Sequence, residues 1–131
     1  MSIINGAIVK DSMITDGCIV SSGAHVENSI LSPGVFVGPG AVIRESVILT
    51  DTSIEAGARV ERAIVDKSVR IGRKARIGRA VKGEATNGIT TIGKNAEIPA
   101  GVSIPRGAVV HTDVTADHFK ARKRRTAAAS S

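Results

Sequence analysis

Large aliphatic residues recur along this chain at a spacing that limits the folds it can adopt. From residue 14 to residue 77 the steps are six, six and five residues, repeated without a break, so the full unit is seventeen residues long. The positions are Ile14, Val20, Val26, Leu31, Val37, Ile43, Ile48, Ile54, Val60, Val65, Ile71 and Ile77, and Ile3 and Val9 extend the series backwards. Neither a helical nor a heptad pattern has this period. The spacing therefore predicts a repeat protein.

Small residues form further columns when the units are aligned. One column is Ala24, Ala41, Ala58 and Ala75, another is Gly23, Gly40 and Gly57, and a third is Ser12, Ser29, Ser46 and Ala63. A coil with three flat sides explains them, because each aliphatic step points inward and stacked coils pair as parallel strands. We therefore predict an all-β fold: a single left-handed parallel β-helix of hexapeptide repeats, with triangular coils of 17–18 residues.

The register breaks after Ile77 and resumes in steps of six at Ile92, Ile98, Ile104 and Val110. Residues 79–90 are rich in charged residues and glycine, which predicts a loop that leaves the coil. We expect the β-helix domain to cover residues 1–111. Residues 112–131 are predicted to be a basic, disordered C-terminal extension.

The formal net charge of +6 depends on that extension. Its basic run, residues 120–125, supplies five positive charges, and the rest of the chain carries +1. No aromatic residue interleaves with the run, as single-stranded nucleic acid binding would favour, so we do not expect a nucleic acid partner. Cys18 falls at a small interior position and is predicted to pack there. A single cysteine and no long apolar run predict a cytoplasmic protein without a membrane partner.

Three segments resemble a known enzyme family. They are Asn-Ser-Ile-Leu-Ser-Pro at 28–33, Glu-Ser-Val-Ile-Leu at 45–49 and, most specifically, Arg-Ala-Ile-Val-Asp-Lys at 62–67 followed by Ile71-Gly72. Over residues 3–110 the chain is similar to the C-terminal β-helix domain of glucose-1-phosphate adenylyltransferase (ADP-glucose pyrophosphorylase). The resemblance implies an enzyme that makes ADP-glucose from ATP and glucose 1-phosphate for glycogen or starch synthesis. In that family catalysis belongs to a separate nucleotidyltransferase domain.

This chain lacks the glycine-rich nucleotide loop and the βαβ region that such a catalytic domain needs. We therefore expect a non-catalytic regulatory and oligomerisation domain, either cut from a larger enzyme or a separate subunit, with no catalytic residue, metal or cofactor of its own. Its expected partners are a nucleotidyltransferase catalytic domain or subunit and further copies of itself. A phosphorylated metabolite is the expected effector.

The resemblance also implies effector residues. A lysine after an Ile/Val-Asp pair binds anionic effectors in the family, and Lys67 occupies that place. Lys94, in Ile-Gly-Lys-Asn-Ala-Glu-Ile-Pro at 92–99, resembles a second effector lysine. Lysine is a mobile point charge suited to phosphate. The alternative is that both are corner lysines that only face water.

Two arginines share a column. Stacked coils place Arg59 and Arg76 one strand spacing apart, where like charges repel unless an anion or a carboxylate lies between them. Guanidinium pairs suit bidentate phosphate binding, which makes both residues anion-site candidates. Pairing with Glu55 or Glu61 is the alternative.

Apolar residues at outward positions indicate an interface. Ile19 and Phe36 fall in one column, and Val42 lies on another face. Neighbouring exposed apolar groups suggest a docking surface for a catalytic domain or another subunit.

Two other functions stay open. One is a hexapeptide-repeat acyltransferase that uses acyl-CoA, although the loop at 79–90 holds no histidine to act as its base. The other is a structural β-helix that serves as an interaction scaffold. His25, His111 and His118 are interpreted as surface histidines, because a zinc site would need three imidazoles that converge.

Overall fold

The computed structural model describes residues 3–4, 6–79 and 88–115. These residues form short strands, numbered in chain order, in three sheets of six. Sheet A contains β1 (Ile3–Ile4), β4 (Ile19–Val20), β7 (Phe36–Val37), β10 (Ser53–Ile54), β13 (Arg70–Ile71) and β16 (Glu97–Ile98). Sheet B contains β2 (Ile8–Lys10), β5 (His25–Glu27), β8 (Val42–Arg44), β11 (Arg59–Glu61), β14 (Arg76–Arg79) and β17 (Ser103–Pro105). Sheet C contains β3 (Met13–Ile14), β6 (Ile30–Leu31), β9 (Val47–Ile48), β12 (Ala63–Val65), β15 (Thr90–Ile92) and β18 (Val109–Val110).

Consecutive strands belong to different sheets, so the chain winds through A, B and C once per coil and completes six coils. Every strand pair is parallel, and Ile19 pairs with Phe36, which pairs with Ser53, so these coils are seventeen residues long. The first coil is one residue shorter on sheet A, where Ile4 and not the predicted Ile3 is the register partner of Val20. After the break the coil is eighteen residues, as Thr91 pairs with Val109. The predicted all-β, left-handed parallel β-helix with triangular 17–18-residue coils is confirmed.

The interior holds the predicted aliphatic columns. Val20, Val37, Ile54 and Ile71 stack at the centre of sheet A, and each is at most 1% exposed. Because each coil covers the apolar ends of the next, this core is continuous from Cys18 to Val110. Cys18 is fully buried, as predicted, and its thiol lies 3.2 Å from the carbonyl oxygen of Ser32. No helix in the described part of the chain is long and apolar enough to cross a membrane.

A serine ladder explains the five-residue step. The corner between sheets B and C uses a left-handed residue, for example Glu45 at φ 48°, which shortens the bend. The next residue, Ser46, donates its hydroxyl to the carbonyl of Arg44 (2.7 Å) and accepts the amide of Ala63 on the next coil (3.2 Å). Ser12 and Ser29 repeat both contacts. The serine column therefore provides hydrogen-bond partners for backbone groups that a tight buried bend would otherwise leave without any.

The break in the repeat begins at a β-bulge. The pairing of β14 with β17 shifts register between Ile77 and Arg79, around Gly78. Gly78 has φ 81°, and a Cβ there would lie 1.8 Å from the carbonyl oxygen of Glu61, so only glycine fits. Both end residues of the loop predicted at 79–90 belong to strands, while residues 80–87 lie outside the described residues.

The C-terminal coil continues slightly past the predicted domain end at residue 111. Asp113 donates its amide to the carbonyl of Lys94 (2.8 Å), and Glu97 donates its amide to the carbonyl of Val114 (2.8 Å). Residues 116–131, with the basic run, lie outside the described residues. The division into a domain and an extension stays a prediction.

Candidate functional site

The two lysines singled out in the sequence lie next to each other. Lys67 follows β12 and Lys94 follows β15, both at the corner where the chain turns from sheet C to sheet A. The amide of Asn95 donates to the carbonyl of Lys67 (3.0 Å), as the amide of Ser68 does to Thr50 on the preceding coil (2.9 Å). Lys67 and Lys94 therefore occupy equivalent positions on adjacent coils, about 4.8 Å apart along the stack. We call this pair the lysine corner.

Local geometry holds both lysines outward. The amide of Lys67 donates to the carboxylate of Asp66 (2.7 Å), and the residue after each lysine is left-handed, with φ 56° at Ser68 and 62° at Asn95. Both lysines are exposed. Within the described residues neither ammonium pairs with a carboxylate. Two unpaired cations one strand spacing apart repel each other, and an anion between them relieves that repulsion.

A histidine that sequence reasoning left on the surface lies beside this corner. His111 follows β18 one coil beyond Lys94 and is exposed. Its backbone packs against Gly93, where a Cβ would lie 2.7 Å from the carbonyl carbon of His111. The sequence feature that could have located His111 is the resumed six-residue step, which places it one coil after Gly93. By contrast, His25 lies on sheet B with its Nε2 3.4 Å from Glu27 Oε2, and His118 is outside the described residues.

Sheet A carries a shallow groove of about 270 Å³ that extends to the corner between sheets A and B. Its lining residues are Glu55, Arg70, Gly72, Arg73, Glu97, Ile98, Pro99 and Ala100. A Cβ on Gly72 would lie 2.5 Å from the amide nitrogen of Ala100, so the two coils approach closely at the base. Arg70 lies 3.5 Å from Glu55, so Glu55 pairs on sheet A and not with Arg59. Two guanidinium groups and two carboxylates leave the groove with no net charge of either sign.

Arg59 and Arg76 are register partners on sheet B, which confirms that they share a column. Arg59 Nη2 lies 3.9 Å from Glu61 Oε1. The fold therefore separates the four predicted anion-binding residues into two pairs on different sides of the coil. It brings Lys67 and Lys94 together and does not add the arginines to them. Anion binding by either pair stays a prediction.

The predicted interface residues lie on two faces. Ile19 and Phe36 are register partners on sheet A, and Val42 lies on sheet B between His25 and Arg59. Ile19 is 42% exposed, whereas Phe36 and Val42 are half-buried.

Sequence reasoning missed the longest apolar row, which lies on sheet C. From the first coil to the last, its outward residues are Met13, Ile30, Val47, Ile64, Thr91 and Val109. We call this the sheet C row. The sequence could have revealed this row, since each member directly precedes an interior aliphatic residue. The row carries no charge, and Met13 and Val109 at its ends are 62% and 61% exposed.

Metal binding has no support in the described part of the chain, where no group of three His, Cys, Asp or Glu side chains could hold an ion. No curated protein matches the chain in sequence. Solved structures do match its fold. A protein from Desulfovibrio desulfuricans G20 to which acetyltransferase activity is ascribed is 16% identical, with a TM-score of 0.68, and the match covers 85% of this chain and 25% of that one.

Two further structures contain bound cofactor. The acetyltransferase domain of PglB from Neisseria gonorrhoeae FA1090, in complex with acetyl coenzyme A, is 21% identical with a TM-score of 0.51 over 79% of this chain and 53% of that one. A mutant of GDP-perosamine N-acetyltransferase from Caulobacter crescentus, in complex with CoA and GDP-perosamine, is 18% identical with a TM-score of 0.51 over 82% and 52%.

These identities establish a shared fold and nothing finer. The chain spans from a quarter to about half the length of the structures it matches. The hexapeptide-repeat superfamily is confirmed, whereas the narrower resemblance to ADP-glucose pyrophosphorylase has no counterpart among these neighbours. The family described as GlmU-like, C-terminal hexapeptide matches residues 4–94, well over half of the chain, and the chain therefore belongs to that family.

Proposed function

We propose that this chain is a ligand-binding and assembly domain of a larger enzyme, and that its lysine corner binds a phosphorylated molecule. One observation carries the proposal: Lys67 and Lys94, far apart in sequence, are exposed neighbours on adjacent coils and lack a carboxylate partner among the described residues. A phosphate group placed between them replaces cation repulsion with two attractive contacts. Lysine suits this role because its flexible stem adapts to ligands of different shape.

The larger enzyme that we propose is a sugar nucleotidyltransferase similar to ADP-glucose pyrophosphorylase. Its support is the segment at 62–67, which ends at Lys67. A family described by its C-terminal hexapeptide repeat also fits a domain that accompanies another one. In this function the domain does not catalyse. A phosphorylated effector binds one arrangement of β-helix and catalytic domain more tightly, and this preference shifts the population of the competent state.

An acyltransferase that uses acyl-CoA is the second candidate, and the structural neighbours favour it over the adenylyltransferase. Two of the matched acetyltransferases hold CoA or acetyl-CoA. CoA also carries phosphate groups that the lysine corner would attract. Among the described residues, His111, one coil beyond Lys94, is the one best placed to act as a general base beside that corner.

For assembly, we propose that exposed apolar rows bind other subunits or the catalytic domain. The sheet C row runs through all six coils without a charged residue. Isolated exposed aliphatics are ordinary, but a continuous uncharged row is typical of a contact surface.

Ligand binding is testable on the purified chain by thermal shift. The ligands are fructose 1,6-bisphosphate, 3-phosphoglycerate, inorganic phosphate, ATP and acetyl-CoA, at constant ionic strength. We expect phosphorylated metabolites to raise the melting temperature, and Lys67→Ala or Lys94→Ala to weaken binding by about tenfold, the cost of one charge-assisted contact. The matched control is Lys10→Ala, because Lys10 is also exposed but lies on β2, at the other end of the β-helix.

The outcomes separate the candidates. Stabilisation by acetyl-CoA alone, together with acetyl transfer that His111→Ala abolishes, would replace the regulatory function with the acyltransferase. Equal effects of all the lysine variants would mean that only general charge screening is at work, which contradicts the proposal.

A further inference from the structure

We infer a second anion site on sheet B, formed by Arg59, Arg76 and Arg106, that takes a doubly charged tetrahedral group such as phosphate. We call these residues and Glu61 the arginine cluster. The site lies on a different sheet from the lysine corner and does not depend on the function proposed above.

The fold forces two of the guanidinium groups together. Arg59 and Arg76 are register partners on adjacent parallel strands, at a strand spacing of about 4.8 Å. Both residues are exposed on the outward face of sheet B. Like charges directly opposite each other on neighbouring strands destabilise a sheet unless something neutralises them.

The protein neutralises this cluster incompletely. Glu61 Oε1 lies 3.9 Å from Arg59 Nη2, and Glu61 Oε2 lies 4.0 Å from Arg106 Nη2. One carboxylate is thus shared by two arginines, at distances longer than a hydrogen bond. Arg76 pairs with no carboxylate in the described part of the chain. Three arginines and one glutamate leave two uncompensated positive charges. A phosphate dianion, with two negative charges, would neutralise them.

Arg106 is held in place before any ligand arrives. Its side chain is 18% exposed, against 47% for Arg59, so packing restricts its rotation. Its Nε is buried and has no hydrogen-bond partner among the described residues. An oxyanion on the solvent side of this guanidinium would accept from its Nη atoms, which Glu61 approaches only to 4.0 Å. Ser103, the register partner of Arg76, places an exposed hydroxyl beside the cluster as a further donor.

The donor set favours a doubly charged tetrahedral anion over chloride or a single carboxylate. Planar guanidinium groups bind two oxygens of one tetrahedral group at once, which lysine cannot do. Chloride offers one acceptor centre and a carboxylate offers two oxygens in a plane. The shared chemistry is a phosphoryl group, free or at the end of a small metabolite, and inorganic phosphate is the probe for the first experiment.

The experiment follows the arginine Nε–H signals of the full chain, labelled with ¹⁵N, during titration with inorganic phosphate while chloride keeps the ionic strength constant. Single Arg→Gln variants assign the signals. We expect saturable shifts at Arg59, Arg76 and Arg106, and none at Arg70. The double variant Arg59→Gln/Arg76→Gln should raise the dissociation constant by at least about tenfold. Arg73→Gln, an exposed arginine at the corner after β13, should change it less than about twofold.

Circular dichroism melting first establishes that each variant is folded. Lys67→Ala should leave the arginine shifts unchanged. The proposals for this site and for the lysine corner can therefore be contradicted independently. Linear shifts without saturation, equal shifts with chloride, or equal losses in Arg73→Gln and the double variant would each overturn the site.

Discussion

In the N-terminal coils the outward row of sheet A carries Ile19 and Phe36, whereas in the C-terminal coils the same row carries Arg70 and Glu97. The interior shows no such change. Val20 and Ile71, directly beside these outward residues, are both buried members of one aliphatic column. The two ends of the molecule therefore share one core and present different surfaces.

The outward row of sheet B also changes from apolar to charged residues along the molecule, whereas that of sheet C does not. On sheet B the outward row changes from Ile8 and Val42 to Arg59 and Arg76. On sheet C the outward residues stay uncharged from Met13 to Val109. Interior residues are constrained by every coil above and below, while outward residues contact only their row. The surface can therefore differ along the molecule, being apolar at the N-terminal end and along sheet C and charged at the C-terminal end of sheets A and B.

The largest effect is expected where both ends are alike, in the interior. Ile54→Asp places a carboxylate at a fully buried position, and we expect a loss of about 4 kcal/mol or more in the free energy of unfolding. Circular dichroism melting should show no cooperative transition. Ile54→Val, which removes one methylene, should cost about 1 kcal/mol. Wild-type stability of Ile54→Asp would disprove the coil register.

The next effect belongs to the bulge where the repeat breaks. Gly78→Ala puts a Cβ on a left-handed residue and against the carbonyl oxygen of Glu61. The control is Gly101→Ala, because Gly101 is also left-handed, at φ 75°, but has nothing within 4 Å of the added Cβ. Both variants bear the strain of a left-handed alanine, about 1 kcal/mol. We expect Gly78→Ala to cost about 2 kcal/mol more than its control in urea denaturation, because of overpacking. Equal losses would show that the bulge adapts freely.

A smaller effect is expected in the serine ladder. Ser46→Ala leaves the buried amide of Ala63 without its acceptor, which should cost about 1–2 kcal/mol in urea denaturation. Ser12→Ala, at the exposed end of the ladder, should cost clearly less because water replaces the lost contacts. If both variants lose the same stability, burial of the ladder is not what makes it important.

The smallest effect on stability, and the sharpest test of the surface comparison, concerns the apolar rows. Ile64→Lys on sheet C and Ile8→Lys on sheet B replace isoleucines that are 41% and 52% exposed. Neither should change stability by more than about 0.5 kcal/mol. Sedimentation velocity over a range of concentrations should show that Ile64→Lys weakens self-association more than Ile8→Lys. The reverse order would place the contact on the N-terminal coils and not along sheet C.

The fold could be predicted from sequence because interior residues repeat. Each aliphatic step identifies a side of the coil, and the alanine and serine columns fix how coils align, as Ser46 over Ser29 illustrates. The candidate sites were only partly predictable. Lys67 and Lys94 were named by resemblance, and Arg59 and Arg76 by their seventeen-residue spacing. Arg106 was not linked to Arg59 and Arg76, because residues 79–90 lie between them and counting by a fixed period fails there. His111 could have been linked to Lys94, because the six-residue step resumes at Ile92.

The sequence alone determined the architecture of this protein: a parallel β-helix, its coil length and the position of its break. It could do so because a periodic core leaves a periodic signature in one dimension. Only the tertiary structure decided which charged residues meet across that break. Lys67 and Lys94 are adjacent because β12 and β15 pair across the break, with Val65 opposite Ile92. Arg106 reaches Glu61 because β17 stacks beyond the bulge at Gly78. Such contacts depend on how coils register across an insertion, which no local pattern records.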